Sequence, residues 1–439
     1  MSLRNFRSLR VTAGLVAAVL AVSLSAACGS SGPGDRAGQA TAWALTGGDE
    51  RTFRSSFQQW NSGHGGQPID VQFFQNDAYK QKIRTAVGAG QAPTLIFGWG
   101  GGILKSYVDA GQVADLTPDV TANPTLKSRY LPSVLDSGVI GGKTYALPNN
   151  AMQPVLLYYN KDLFRQIGAQ PPKTWPELLA LIPKFNARNI APLSLAGQSK
   201  WPLLMYEEYL VDRLGGPRVF DDIAANKPNA WSDPAVLQAN TMIQQLVNAG
   251  AFVKNFASVD ADSNADLALL YTGKAAMEVM GSWAYPSIKT QNPQFISGGK
   301  LGYVAFPAVP GGKGDPADVA GNPANFWSIS AKATPEQRKA AVAYLTDGVL
   351  NQSYVDSLVT GGGVPPVAGL EPKLAKASDP GYLSFIYGMA RQAPHFQLSW
   401  DQALSPAQAD ALLTNLGKLF LNQITPAQFS AAMNATIGK

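Results

Sequence analysis

The stretch TAWALTGGDERTFRSSFQQWNSGHGGQPIDVQFFQNDAYKQKIRTAVGAGQAPTLIF, residues 41–97, decides the fold. Its first five residues are a short apolar run that stops at Thr46-Gly47-Gly48-Asp49-Glu50. Phe53, Phe57 and Trp60 then recur at i, i+4 and i+7, the period of an amphipathic helix. Ile69, Val71 and Phe73 alternate with polar residues as in a strand. Asn76 or Asp77 stands where a helix cap belongs, ahead of an apolar face made of Tyr79, Ile83 and Val87. Residues 94–97 form the next strand signal. Strands alternating with helices in this way predict a largely parallel sheet covered by helices.

The same logic continues outward. Residues 155–159 read as a strand, and Thr174-Trp175-Pro176-Glu177 is a capping box that opens a helix with Leu178, Leu181, Ile182 and Phe185 on one face. Thr334-Pro335-Glu336-Gln337, Ser405-Pro406-Ala407-Gln408 and Thr425-Pro426-Ala427-Gln428 share one start signal: a hydroxyl cap, Pro at the first helical position and Gln at the third. Gly298-Gly299, Gly311-Gly312 and Gly361-Gly362-Gly363 mark loops, and Val364-Pro365-Pro366 is held extended by its prolines. There is no solenoid repeat. About 400 residues exceed what one compact core accommodates, so two lobes are expected.

The first 40 residues speak to compartment. Arg4, Arg7 and Arg10 precede an apolar stretch, residues 11–26, ending in small side chains. At helical rise that stretch measures roughly 24 Å, short for a bilayer span and suited to a secretory signal. Cys28 is the only cysteine of the 439 residues. Leu24-Ser25-Ala26-Ala27-Cys28-Gly29 resembles a bacterial lipobox, with its leucine four rather than three positions before the cysteine. Lipidation of Cys28 is the expectation, against the alternative of a plain signal peptide with an inert thiol. Residues 29–40 (GSSGPGDRAGQA) have the composition of a flexible tether. Beyond residue 27 the chain carries 32 basic against 30 acidic residues, a net of +2, with no basic tract. Nucleic-acid binding is therefore not expected.

Catalytic motifs are scarce. His64 and His395 are the only histidines, and neither stands in a metal-ligand spacing. There is no GxSxG elbow. Gly98-Trp99-Gly100-Gly101-Gly102 follows a strand but lacks the GK[ST] of a phosphate loop, and Tyr271-Thr272-Gly273-Lys274 lacks the upstream glycine. Paired carboxylates of the glycosidase type have no sequence spacing; Asp49, Asp77, Glu207 and Asp401 are candidates by residue type alone. What the chain does carry is aromatic and amide residues near predicted strand ends and in loops: Trp99, Trp201, Trp283 and Trp400. In open parallel sheets ligands bind beyond the carboxyl ends of the strands. An indole covers the apolar face of a pyranose, and carboxylates and amides satisfy its hydroxyl rim. Trp43, Trp60, Trp175 and Trp231 are assigned to the core from their strand, helix-face and cap contexts.

Several segments, in this order, carry a family resemblance. They are Asn76-Asp77-Ala78-Tyr79-Lys80-Gln81-Lys82-Ile83, Ala92-Pro93-Thr94-Leu95-Ile96-Phe97, Gly142-Lys143-Thr144-Tyr145-Ala146-Leu147-Pro148, Leu157-Tyr158-Tyr159-Asn160-Lys161-Asp162-Leu163-Phe164, Thr174-Trp175-Pro176-Glu177-Leu178, residues 256–265, and the pair Gly273-Lys274-Ala275-Ala276-Met277 and Gly281-Ser282-Trp283. The chain resembles the family 1 extracellular solute-binding proteins, receptors of carbohydrate ABC importers. Within them it is most similar to actinobacterial xylo-oligosaccharide (xylobiose) binders, through GWGGG after the third strand and ALPNNAMQPVLLYYNKDLF.

The resemblance implies a two-lobed, type II periplasmic-binding-protein-like α/β fold, each lobe a mostly parallel sheet flanked by helices, joined by a hinge. Crossings are expected near Gln153, Ala284 and Ser330. The expected organisation is a signal peptide (1–27), a lipid-anchored linker (28–40), an N-terminal lobe (41–152 with 285–330) and a C-terminal lobe (153–284 with 331–439). Asp49, Asn76, Asp77, Trp99 and Gly100 would face the sugar from one lobe. Asn149, Trp201, Glu207, Trp283, Asn322, Phe326, Gly363, Trp400 and Asp401 would line the rest. The resemblance further implies a monomer on the outer face of the cell membrane, an oligosaccharide ligand, permease partners, and no cofactor, metal or enzymatic activity. Two alternatives stay open: a secreted glycoside hydrolase, and a binder of another solute, such as a peptide or a sugar phosphate, which would need a carboxylate-lined or cationic cleft; Arg129, Arg218 or Arg391 could serve the phosphate.

Overall fold

The computed structural model describes residues 38–439. The expected signal peptide, Cys28 and nearly all of the 28–40 linker lie outside those residues. No helix among the described residues is long and apolar enough to cross a membrane.

The opening stretch folds as its periodicities require. Strand β1 (Ala40–Leu45) leads to helix α1 (Glu50–Gly63), β2 (Ile69–Phe74) to α2 (Asn76–Gly88), and β3 (Leu95–Gly98) to α3 (Gly101–Asp109). β1 lies between β2 and β3 and pairs in parallel with both. A hairpin, β4 (Val139–Ile140) and β5 (Lys143–Thr144), turns at Gly141-Gly142, both at positive φ. Strand β6 (Leu147–Pro148) then joins the first sheet, and the chain enters a second sheet along β7 (Gln153–Asn160).

The second sheet is built around β7. It adds β8 (Ala191–Ser194), β9 (Ala275–Gly281), β10 (Leu301–Val304), β11 (Val319–Asn322) and, late in the chain, β13 (Phe396–Leu398). The return strand β12 (Phe326–Ile329) pairs antiparallel with β3 and β6 in the first sheet. The order is β2-β1-β3-β12-β6 in one lobe and β13-β11-β7-β9-β8 in the other, with β10 on β7.

Both sheets are mixed, which corrects the expectation of mostly parallel pairing. β7 runs antiparallel to β9, β10 and β11, while β8–β9 and β11–β13 are parallel. For β11 and β12 the reason is the hinge. Only three residues separate β11 from β12, so one continues nearly into the other across the gap, with no crossover helix to restore a parallel sense.

The hinge also redraws the lobes. Ala284 begins a helix (Ala284–Gln291) directly after β9 and is not a crossing, and Ser330 stays with the first lobe, bridged to Val113. The crossings lie between β6 and β7, between β11 and β12, and after the helix Gln352–Gly361, which packs on α1. Residues 301–322, expected in the N-terminal lobe, therefore belong to the second. Residues 335–361, expected in the C-terminal lobe, pack on the first, with the helix Pro335–Ala343 lying on β1.

The core follows burial. Trp43, Trp60, Trp175 and Trp231 are all buried, as their contexts predicted. Trp327 of β12 stands edge-on to Phe53, Phe57 and Phe97, tying α1 to the sheet. Thr174, Thr334 and Thr425 form complete capping boxes with Glu177, Gln337 and Gln428. α2 departs from its expected start: the N-cap is Gln75, and neither Asn76 nor Asp77 caps it. Both side chains are used elsewhere.

Candidate functional site

A cleft opens between the lobes, and the strand ends supply its walls. From the first lobe come the 46–50 turn after β1, Asn76 after β2 and Trp99 after β3. From the second come Trp201, Trp283 after β9, and Ser399, Asp401 and Gln402 after β13. The hinge adds a floor of amides: Asn150, Gln153, Asn322 and Asn325. Placement at strand ends is what the α/β layout favours.

Two helices set much of the geometry. On α2 the stripe beside Tyr79 and Ile83 carries Asn76, Lys80 and Arg84 at i, i+4 and i+8, turned toward the second lobe. Lys80 Nζ lies 3.1 Å from Asp401 Oδ2 and 5.1 Å above the Trp99 ring. Arg84 pairs with Asp410 at 2.6 Å on the exposed edge. The helix Trp201–Gly215 answers with Trp201 and Met205 in the cleft. One turn further, buried Glu208 accepts from the Trp400 N–H (2.6 Å) and the Ser399 hydroxyl (2.8 Å), fixing the turn that presents Asp401. Burial raises the Glu208 carboxyl to about 8, against the lowering effect of those two donors.

Asp77 joins the lobes. Its Oδ1 accepts from the Trp201 indole N–H at 3.2 Å and from Asn76 Nδ2 at 2.8 Å, while its backbone N–H donates to Asp262 Oδ2 at 2.9 Å. Asp262 belongs to the loop before the helix Ala265–Tyr271, and Ala261 and Asn264 of that loop also line the cleft. Desolvation, reinforced by the Asp77 and Asp260 charges, raises the Asp262 carboxyl to about 6. On the opposite wall, Asn150 Nδ2 donates to Asp49 Oδ2 at 3.0 Å and to Asn325 Oδ1 at 3.2 Å. Burial raises the Asp49 pKa, and the Asn150 donor partly offsets it. Asn322 donates to Gln153, and its buried Oδ1 has no partner among the described residues.

The apolar surface comes from Trp201 and Trp283, both half-buried, with ring centroids 5.9 Å apart and planes at 58°. The loop that delivers Trp201 is tied down by Gly197 N–H on Phe256 O and Gln198 N–H on Val259 O. Trp99 sits across from them, edge-on to Phe97 and Tyr79.

Of the residues nominated from sequence, the structure brings Asp49, Asn76, Trp99, Trp201, Trp283, Asn322 and Asp401 into the cleft wall, with Asp77 bonded behind Trp201. Six are elsewhere. Trp400 is 1% exposed, stacked on Phe220 at 4.6 Å and edge-on to Trp231. Glu207 is fully buried on the far side of its helix, where burial pushes its carboxyl well above the usual carboxylate range. Phe326 is core within β12, and Asn149 is buried with its carbonyl accepting from Tyr354 OH. Gly100 lies against the Ser137 carbonyl, and Gly363 packs on Ala151 at the hinge. Sequence reasoning missed Lys80, Asn150, Gln153, Asp262, Asn264, Asn325 and Gln402.

Of the arginines considered for a phosphate, Arg129 donates to the Val349 and Thr346 carbonyls, Arg218 faces Asp222, and Arg391 pairs with Glu371. None lines this cleft. Among the described residues no group of three or more His, Cys, Asp or Glu side chains is arranged to hold a metal ion.

Comparison with known proteins gives a consistent picture. A solved structure from a study of xylan utilization by the thermophilic bacterium Caldanaerobius polysaccharolyticus is 30% identical, with a TM-score of 0.82 and coverage of 91% of this chain and 100% of that one. A chitin oligosaccharide binding protein shares the fold at 22% identity and a TM-score of 0.76, over 90% of this chain and 97% of its own. The multiple sugar-binding protein of Streptococcus mutans is 29% identical over 283 residues, 62% of this chain and 63% of that protein. A probable sugar-binding periplasmic protein of Mesorhizobium japonicum is 29% identical over 303 residues, 66% of each chain. The chain thus spans just under two thirds of the length of these two curated relatives. Residues 45–347, well over half of the sequence, match the model of the bacterial extracellular solute-binding proteins, and the chain belongs to that family.

Proposed function

We propose that this protein is the sugar-capturing receptor of an ABC importer, taking short neutral oligosaccharides, with xylobiose and longer xylo-oligosaccharides favoured, and passing them to a membrane permease. The observation that carries this reading is the pairing of half-buried Trp201 and Trp283 with a rim of carboxylates and amides drawn from both lobes. A sugar ring offers apolar faces to the first and hydroxyls to the second. Covering roughly 100 Å² of apolar surface contributes about 2.5 kcal/mol, and the hydroxyl bonds select among sugars. The one lysine of the cleft wall is bonded to Asp401, which leaves carboxylates in excess and disfavours an anionic solute. The 30% identical structure from work on xylan utilization supports the xylo-oligosaccharide preference.

The mechanism is a population shift. The lobes exchange between open and closed arrangements, and sugar favours the closed one because only there do both lobes touch it. The closed form is the one a permease recognises, and a separate ATPase drives release. The receptor works as a monomer on the outer face of the membrane, held by a lipid on Cys28 after removal of residues 1–27. It needs no cofactor and leaves its ligand intact.

A thermal-shift panel of mono- and disaccharides tests the reading. Ligand raises stability by RT ln(1 + [L]/Kd), so xylobiose gives the largest rise in Tm. A panel in which no sugar moves the Tm contradicts it, and release of reducing sugar from xylan oligomers would establish the hydrolase alternative.

A further inference from the structure

The motif Gly281-Ser282-Trp283 ends β9 and delivers one of the two cleft indoles. Each of its residues has a separate structural duty. Ser282 is clamped on three sides: its N–H donates to Pro154 O at 2.9 Å, its side-chain hydroxyl to Met152 O at 3.0 Å, and its carbonyl accepts from Tyr382 OH at 3.0 Å. Tyr382 is itself fixed, hydrogen-bonded to Tyr158 OH at 2.8 Å and stacked on Tyr285 at 3.8 Å. The chain therefore enters Trp283 from one direction only. No hydrogen bond among the described residues holds the Trp283 indole N–H, so something else must set the ring.

That something is the absence of a side chain at Gly281. A Cβ built there falls on the Cε3, Cζ3 and Cη2 atoms of Trp283, closer than any real nonbonded contact, and these are its three nearest neighbours. The ring lies flat in the space that a side chain would fill. Gly281 is not needed for its backbone, since it is not among the positive-φ glycines. Its role is steric, and the atoms it would displace are the free end of a side chain with two rotatable bonds.

We infer that Gly281 is a positioning residue for sugar binding: it seats the Trp283 indole against Trp201, and any larger residue there turns the ring out of the stacking geometry. This rests on the sugar-binding reading for its consequence, but not for the ring placement itself.

The test uses Gly281→Ala, Trp283→Ala and the double variant, with two readouts. Without ligand, circular dichroism registers coupling between indoles at 5.9 Å. Gly281→Ala and Trp283→Ala are each expected to lose that signal, and Gly281→Ala to change nothing further in the Trp283→Ala background. With xylobiose, calorimetry is expected to give about a tenfold weaker Kd for Gly281→Ala and less than a twofold additional effect in the double variant. If Gly281→Ala is poorly folded, the double variant recovers the Tm of Trp283→Ala, because the clash has been removed. An unchanged dichroism spectrum in Gly281→Ala overturns the inference, as does a loss of affinity or of folding that persists in full once Trp283 is absent. If the wild type binds none of xylobiose, cellobiose or chitobiose yet the dichroism behaves as stated, the ring placement stands and the sugar reading falls.

Discussion

Helix α2 and the helix Trp201–Gly215 face the same cleft from opposite lobes with opposite chemistry. α2 turns Asn76, Lys80 and Arg84 toward the other lobe, whereas the second helix presents Trp201 and Met205 and keeps Glu208 behind them as a support. Both use positions spaced by about one helical turn, so each has one face in its own core and one in the gap. The polar helix sits where the parallel strands end, and the aromatic one where the mixed sheet ends. The first lobe is suited to hold hydroxyls and charge, and the second to hold ring faces.

The largest effect expected from breaking this division is on the aromatic side. Trp201→Ala and Trp283→Ala should each weaken xylobiose binding roughly tenfold to a hundredfold, the consequence of losing about 1.5–3 kcal/mol of apolar contact. Intrinsic-fluorescence titration measures it, and unchanged affinity in both variants defeats the assignment of the stacking wall. On the polar side, Lys80→Met keeps the stem but removes the cation from Asp401. Titration should show affinity falling by about tenfold, in keeping with a charged hydrogen bond in a partly buried pair.

A third prediction concerns the contact that joins the two sides. Asp262 titrates at about 6 in the folded protein, above the roughly 3.9 of an unfolded aspartate. A raised folded value means that the stabilisation is fully present below about pH 4 and is lost as pH rises through 6. Asp262→Asn removes this dependence while its side-chain oxygen still accepts from the Asp77 N–H. Relative to the wild type, the variant should therefore gain stability between pH 4 and pH 7, by on the order of 1 kcal/mol after allowing for partial solvent screening, read as a rise in Tm. Burial also raises the Asp212 and Asp266 carboxyls, so the wild-type-minus-variant difference is the informative curve. A flat difference contradicts the contact. The smallest effect is reserved for Glu207→Gln. Glu207 is buried away from the cleft, with its carboxyl pushed upward by that burial, so binding measured by calorimetry should stay within about twofold of wild type, as for a near-isosteric change outside the site.

These helices also show what was legible in the sequence. The first lobe could be read because its βα units keep clean periods of 2 and 3.6, and the residue just past each strand faces the gap. Asp49, Asn76 and Trp99 follow from that rule. Errors arose where neighbours on a helix point about 100° apart. Glu207 and Glu208 are adjacent, yet one faces the core and the other supports the cleft; Trp400 and Asp401 divide in the same way. The spacing Trp201, Met205, Glu208 (i, i+4, i+7) contained the signal that separates the first pair, and Asn76, Lys80 contained the one for Lys80. The hinge amides Asn150, Gln153 and Asn325 had no such signal. Their place depends on β11 running into β12 across the gap, a long-range pairing that local pattern does not encode. For the same reason the exchange of residues 301–322 and 335–361 between lobes was not legible.

Calorimetric titration of xylobiose into the wild-type protein tests the central claim most directly. A saturable isotherm with one sugar per chain is the predicted result, retained by cellobiose at lower affinity and absent with a sugar phosphate. A featureless trace with every neutral oligosaccharide, or saturable binding of the phosphate instead, would contradict the account.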